Sequence, residues 1–75
     1  MISVRVELGG PFRERFGHWH ALTLGEGATI GDGLKRIGVN EDLYIVVVRN
    51  SERAELSDIL KDGDTVVAFP PVGGG

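Results

Sequence analysis

The chain has 75 residues, 41% of them hydrophobic and 25% charged, with a net charge of −3, which describes one small acidic domain whose core must be thin. It contains no cysteine, so disulfide staples, cysteine-based zinc sites and thiol nucleophiles are excluded. Eight Lys plus Arg without a basic run argue against a nucleic-acid partner, and with no apolar run near the roughly 18 residues of a membrane span and no signal-peptide start, the chain is expected to be cytoplasmic.

Ile2, Val4, Val6 and Leu8 alternate with Ser3, Arg5 and Glu7, the two-residue period of a strand with one buried face. Gly9-Gly10-Pro11 breaks it. Phe12 and Phe16, four apart, then suit one or two helical turns opened by Pro11 and stopped at Gly17. His18 to Leu24 alternates again, with His20, Leu22 and Leu24 on one face and Trp19, Ala21 and Thr23 on the other, and should pair with the first strand. After the turn Gly25-Glu26-Gly27-Ala28, Thr29 and Asp32 have the reciprocal spacing of a helix capping box. Ile30, Leu34 and Ile37 form the apolar stripe of that helix and Gly38 ends it. Gly31 and Gly33 each cost about 1 kcal/mol relative to Ala, so the helix depends on the sheet beneath it.

Tyr44-Ile45-Val46-Val47-Val48 is an unbroken strand-forming run whose facing the pattern leaves open. Arg49-Asn50-Ser51-Glu52 reads as a turn, Arg53 to Leu56 as a short edge strand, and Ser57 to Leu60 as a capped helical turn. Asp62-Gly63-Asp64 turns the chain into a last strand, Thr65 to Phe69, after which Pro70-Pro71 must leave the sheet. The order predicts an α+β roll, a mixed sheet of four or five strands packed on one helix, with residues 1–69 as the domain and 70–75 as a flexible tail.

Most side chains that could carry chemistry have structural explanations. His18 and His20 stand two apart on a predicted strand, but no further ligands accompany them, and no metal site is expected. Asp32 and Asp58 read as caps and Asp62 and Asp64 as turn formers. The glycines at 25, 27, 31 and 33 lack the spacing and the Lys of a phosphate loop. The end of the chain differs, because Gly73-Gly74-Gly75 presents a terminal carboxylate on a segment without side chains, behind stiff prolines. Extended, Val72 to Gly75 reaches about 13 Å, enough to enter a narrow channel in another protein.

The segment Gly63-Asp64-Thr65-Val66-Val67-Ala68-Phe69-Pro70-Pro71-Val72-Gly73-Gly74-Gly75 closely resembles the closing segment of the ubiquitin-like sulfur carriers (MoaD/ThiS), above all the small subunit of molybdopterin synthase, with its pattern Gly-Asp-x-Val-x-x-Phe-Pro-Pro-Val-x-Gly-Gly. Gly27-Ala28-Thr29-Ile30 resembles the family's helix entry, and Val48-Arg49-Asn50 stands where its Val-Asn turn usually does. Departures are Gly9-Gly10, the glycines at 31 and 33, and Arg49.

The resemblance implies a β-grasp fold and a carrier role for Gly75, with Gly74 beside it. A carboxylate ionised at neutral pH is a poor electrophile. An ATP-using, ubiquitin-activating-like adenylyltransferase of the MoeB/ThiF type would therefore adenylate it, and a persulfide would convert it to a thiocarboxylate. The resemblance also implies docking to a large subunit of the MoaE type, which supplies the catalytic groups; this chain brings sulfur and a surface, and binds no cofactor itself. Strand alternation sends Trp19, Val67 and Phe69 to the face opposite the helix, and with Pro70, Pro71, Val72 and Gly73 they are the expected partner-binding residues unless Phe12 and Phe16 fold over them. A carrier for thiamine thiazole or another sulfur pathway, a protein modifier joined through Gly75 to lysines, and an inert interaction module are the competing functions.

Overall fold

A computed structural model describes residues 1–40 and 44–71. In chain order they form β1 (Ile2–Leu8), α1 (Pro11–Phe16), β2 (Trp19–Leu24), α2 (Ile30–Ile37), β3 (Val46–Arg49), β4 (Glu52–Ala54) and β5 (Thr65–Phe69). The sheet runs β2-β1-β5-β3-β4. β1 and β5 are parallel neighbours at its centre, and the other pairings are antiparallel. With α2 laid across one face, this is the β-grasp arrangement that the resemblance implied. Among the described residues no helix is long and apolar enough to cross a membrane.

The alternation read in β1 holds along the strand: Ile2, Val4, Val6 and Leu8 are buried with Leu24, Val66 and Ala68 on the helix face, and Ile30 and Leu34 of α2 cover them. Each of the larger buried side chains contributes roughly 1.5–3 kcal/mol by leaving water. Val39, Val47 and Leu60 join this core from positions without a recognisable period.

α2 begins as its sequence demands. The Thr29 hydroxyl accepts from the Asp32 amide (3.1 Å), and the Asp32 carboxylate accepts from the Thr29 amide (2.9 Å). The Thr29 amide, and after it the Thr29 hydroxyl, stabilise the charged carboxylate and hold the Asp32 carboxyl below its ordinary value of 3.8. The next orphan donors at the helix start, the amides of Ile30 and Gly31, are satisfied by the carbonyls of Asp58 (3.0 Å) and Leu56 (2.9 Å). At the other end Gly38, at φ 108°, lets its own amide reach the Lys35 carbonyl and the Val39 amide reach that of Leu34, which carries Val39 into the core. Gly33 is buried, and a Cβ there would lie in ordinary contact with Leu22, Leu24 and Leu60 at 3.6–3.7 Å. Close approach to the sheet is thus what accompanies its low helix propensity.

Three local expectations need correction. The strand predicted from Tyr44 begins at Val46, leaving Tyr44 exposed, and it continues through Arg49. The four-residue turn at 49–52 is instead the two-residue turn Asn50-Ser51, both at positive φ (49° and 73°), so Arg49 and Glu52 pair across a hairpin and β4 starts at Glu52. The segment 57–60 does not form a helical turn: the Asp58 carboxylate accepts from the Glu55 amide (3.0 Å), its own amide donates to the Glu55 carbonyl (3.0 Å), and Ile59 bridges to Thr29. This segment is drawn to the α2 N-terminus because its carbonyls supply the partners described above.

Candidate functional site

The expected partner-binding face lies opposite α2. Register alone builds it: Glu7 pairs with Trp19 on one side and Val67 on the other, Val67 pairs with Val48, and Val48 with Arg53. One row therefore crosses all five strands as Trp19, Glu7, Val67, Val48, Arg53. The next row towards the end of β5 is Phe69 beside Val46. Val46, Val48, Val67 and Phe69 are half-buried and Trp19 is 48% exposed, an apolar strip on the two strands nearest the tail.

The charges on this face are ordered. The Arg5 guanidinium carbon lies 4.2 Å from the Trp19 ring centroid, and Arg5 Nε donates to Glu7 Oε2 at 3.1 Å. This places a cation over the indole, an interaction of about 0.5–1 kcal/mol for an exposed pair.

Phe12 and Phe16 do not cover the strip. Their rings meet edge-on at 5.8 Å, Phe12 is buried in the core on the helix side, and Phe16 packs against that core. His20, facing the same way, bonds to the Phe16 carbonyl through Nε2 at 2.6 Å. His18 lies just before β2 and is exposed, so the two histidines do not share a strand face. Among the described residues no cluster of three metal-ligating side chains occurs.

At the end of β5 the ladder stops at Phe69, with Pro70 half-buried and Pro71 exposed. The chain here lies against Gly9-Gly10: the Gly9 amide donates to the Ala68 carbonyl (3.0 Å), a Cβ on Gly9 would stand 3.4 Å from Phe69 Cβ, and one on Gly10 would stand 3.8 Å from Pro70 Cδ. The remaining site residues, Val72, Gly73, Gly74 and Gly75, lie outside the described residues.

The opposite end of β5 carries a closed polar cluster. Asp64 is buried and accepts from Asn50 Nδ2 (3.0 Å) and the Lys61 amide (2.8 Å), while Asn50 Oδ1 accepts from the Thr65 amide (3.0 Å). Arg49 donates to the Ile59 carbonyl (2.8 Å) and stands 3.9 Å from Asp64. Hollows of about 450 and 280 Å³ open at the β3–β4 edge, away from Trp19, Val67 and Phe69.

Sequence reasoning singled out Trp19, Val67 and Phe69, and the structure brings Val67 and Phe69 side by side with Val46 and Val48, which it did not single out. The signal for those two was present in the run 44–48, but its facing needed the pairing partner. Gly9-Gly10, read only as a strand breaker, proves to lie beside the exit from β5, with the Gly9 amide bonded to Ala68.

A family model described as the ThiS family matches residues 6–75. No curated protein matches the chain. Among solved structures, the small archaeal modifier protein SAMP1 from Haloferax volcanii is 28% identical, with 97% of this chain and 99% of that one covered and a TM-score of 0.80. The putative molybdopterin converting factor subunit 1 from Pyrococcus furiosus is 29% identical over 96% of this chain and 100% of that one, with a TM-score of 0.78. A chain in the complex of subunits 1 and 2 of molybdopterin-converting factor from Helicobacter pylori 26695 shares the fold at 23% identity, with 99% and 100% coverage and a TM-score of 0.67. With the family model spanning nearly its whole length, the chain belongs to the ThiS family, within the ubiquitin-like sulfur carriers.

Proposed function

We propose that this carrier loads sulfur on Gly75 and serves as the small subunit of molybdopterin synthase. The observation that carries the reading is the continuity of Val67, Phe69, Pro70 and Pro71: an apolar strip runs straight into the stiff start of a segment that ends in three glycines. A partner that docks on the strip receives the tail beside it, and a segment without side chains can pass between close walls.

In this reading the Gly75 carboxylate attacks the α-phosphate of ATP on an adenylyltransferase of the MoeB/ThiF type, and pyrophosphate leaves. A persulfide sulfur then attacks the acyl carbon and AMP departs with the C–O electron pair. A thiol cleaves the resulting acyl disulfide, is itself oxidised to a disulfide, and leaves the thiocarboxylate. With no cysteine in the chain, the terminus is the place for the sulfur. The large subunit, of the MoaE type, supplies the catalytic groups and the pterin site. The 29% identity with a putative molybdopterin converting factor subunit supports this pathway, as does the helical insertion α1 between β1 and β2, in place of a tight turn.

The 28% identity with SAMP1 favours a second reading, a protein modifier joined through Gly75 to lysines of targets. Reconstitution separates the two. The thiocarboxylated chain and the large subunit should convert the sulfur-free pterin precursor to the dithiolene, with mass spectrometry showing sulfur in place of one terminal oxygen beforehand. Failure there, together with isopeptide-linked conjugates in cells, makes the modifier the better reading; failure with sulfur delivered to a thiazole synthase points to the thiamine pathway.

A further inference from the structure

Gly9 and Gly10 are glycines for different reasons. Gly10 sits at φ 58° and ψ −142°, a conformation that side chains with a Cβ scarcely adopt. Gly9 has no such φ, and its backbone continues the β1 ladder through its bond to the Ala68 carbonyl. What distinguishes Gly9 is the space beside it, where a Cβ would meet Phe69 Cβ at 3.4 Å, the near limit of ordinary contact. Phe69 is the last residue held by the sheet, and Pro70, half-buried and without an amide hydrogen, lies where a Cβ on Gly10 would reach its Cδ at 3.8 Å.

We propose that Gly9-Gly10 is a positioning element that sets the direction in which the reactive tail leaves β5. This inference rests on the carrier reading above. Two backbone units without Cβ atoms at the end of β1, the first bonded to the Ala68 carbonyl, give Phe69 and Pro70 a fixed neighbour, so the chain is held as far as Pro70. Five residues then lie between the hold and the reacting carbon, a reach of about 17 Å at full extension. Every residue kept fixed behind that point narrows the volume the terminus searches once the strip is docked, and so raises its local concentration at the partner's reacting groups. The strip sets whether the carrier binds; the glycine pair sets where its terminus goes.

The two roles separate in steady-state adenylation kinetics, with the full chain, ATP and a ubiquitin-activating-like adenylyltransferase. Gly9→Val adds methyl groups at the crowded point and should lower kcat about tenfold, in keeping with the sensitivity of such reactions to displacements near 1 Å, while leaving KM within twofold. Gly9→Ala, which fits in ordinary contact, should stay within twofold in both. Pro70→Gly removes the ring that faces Gly10 without entering the core, and should lower kcat as Gly9→Val does even if that variant is poorly folded. Nuclear Overhauser contacts between Gly10 Hα and Pro70 Hδ should be present in the wild type and in Gly9→Ala, and lost in Gly9→Val. An active wild type whose kcat survives in Gly9→Val or Pro70→Gly, or whose loss in Gly9→Val falls on KM, overturns this inference alone. A wild type that is inert to adenylation overturns the carrier reading along with it.

Discussion

The two ends of β5 are built on opposite plans. At Asp64-Thr65 the strand enters the sheet through a closed set of bonds: Asp64 takes Asn50 and the Lys61 amide, Asn50 takes the Thr65 amide, and the Arg5 amide donates to the Asp64 carbonyl (2.9 Å). At Phe69-Pro70 the ladder simply stops, the side chains are apolar and half-buried, and Pro71, exposed and without a donor, follows. A domain of this size has only a few kcal/mol of net stability, so concentrating polar bonds at one end frees the other from structural duty. The closed end ties the Asn50-Ser51 turn to the start of β5, and the open end is the one that the proposed docking would use.

The sharpest break between the ends should come from removing Gly75. Sulfur transfer should be abolished while the melting temperature is unchanged, because the reacting carboxylate is displaced and the described core loses no contact. Sulfur transfer at the normal rate by the truncated chain would sink the carrier reading. At the closed end the pattern inverts. Asp64→Ala leaves the Asn50 amide group and the Lys61 amide without their acceptor, and should cost about 3 kcal/mol in urea unfolding. Partner affinity per folded molecule should stay as it was.

Phe69→Ala tests where the open end begins. The side chain faces away from α2, beside Val46, so its loss should weaken partner binding by about 1–3 kcal/mol and folding by less. Titration calorimetry and thermal melting measure the two together. A folding loss of that size, with binding intact, would move Phe69 into the core and erase the division.

Much of the closed core was legible because its signals are local. Alternation places Ile2 to Leu8 and His20 to Leu24, and Thr29 with Asp32 marks the helix start to the residue. The family was legible too, from the motif that closes the chain. What escaped depends on segments distant in sequence: Asn50 lies in a two-residue turn that the bonds to Asp64 and Thr65 help fix, and Asp58 is recruited by the open amide at the start of α2. Val46 and Val48 could be assigned a face only once Phe69 and Val67 were known to be their partners. The seat at Gly9-Gly10 likewise requires that the two extremes of the chain meet, which parallel pairing of β1 with β5 brings about and no local pattern announces.

The smallest effect concerns a flaw within the closed end. Ser51 is held at φ 73°, where its Cβ crowds the backbone, and nothing about its side chain requires serine in the Asn50-Ser51 turn. Two-residue hairpin turns with positive φ at both positions favour Asn-Gly, so Ser51→Gly removes the strain while Asn50 keeps its bonds to Asp64 and Thr65. Relief of a left-handed serine is worth about 1–2 kcal/mol, against which the unfolded chain gains roughly 0.5–1 kcal/mol of freedom from the added glycine. The net gain should be about 0.5 kcal/mol, a rise of roughly 2–4 °C in Tm for a domain of this length. Because the turn lies at the far end of β3 from Val46, binding on the strip should not change. A drop in Tm would mean that the serine hydroxyl holds the hairpin together. A change in partner affinity would mean that the two ends of the sheet are coupled after all.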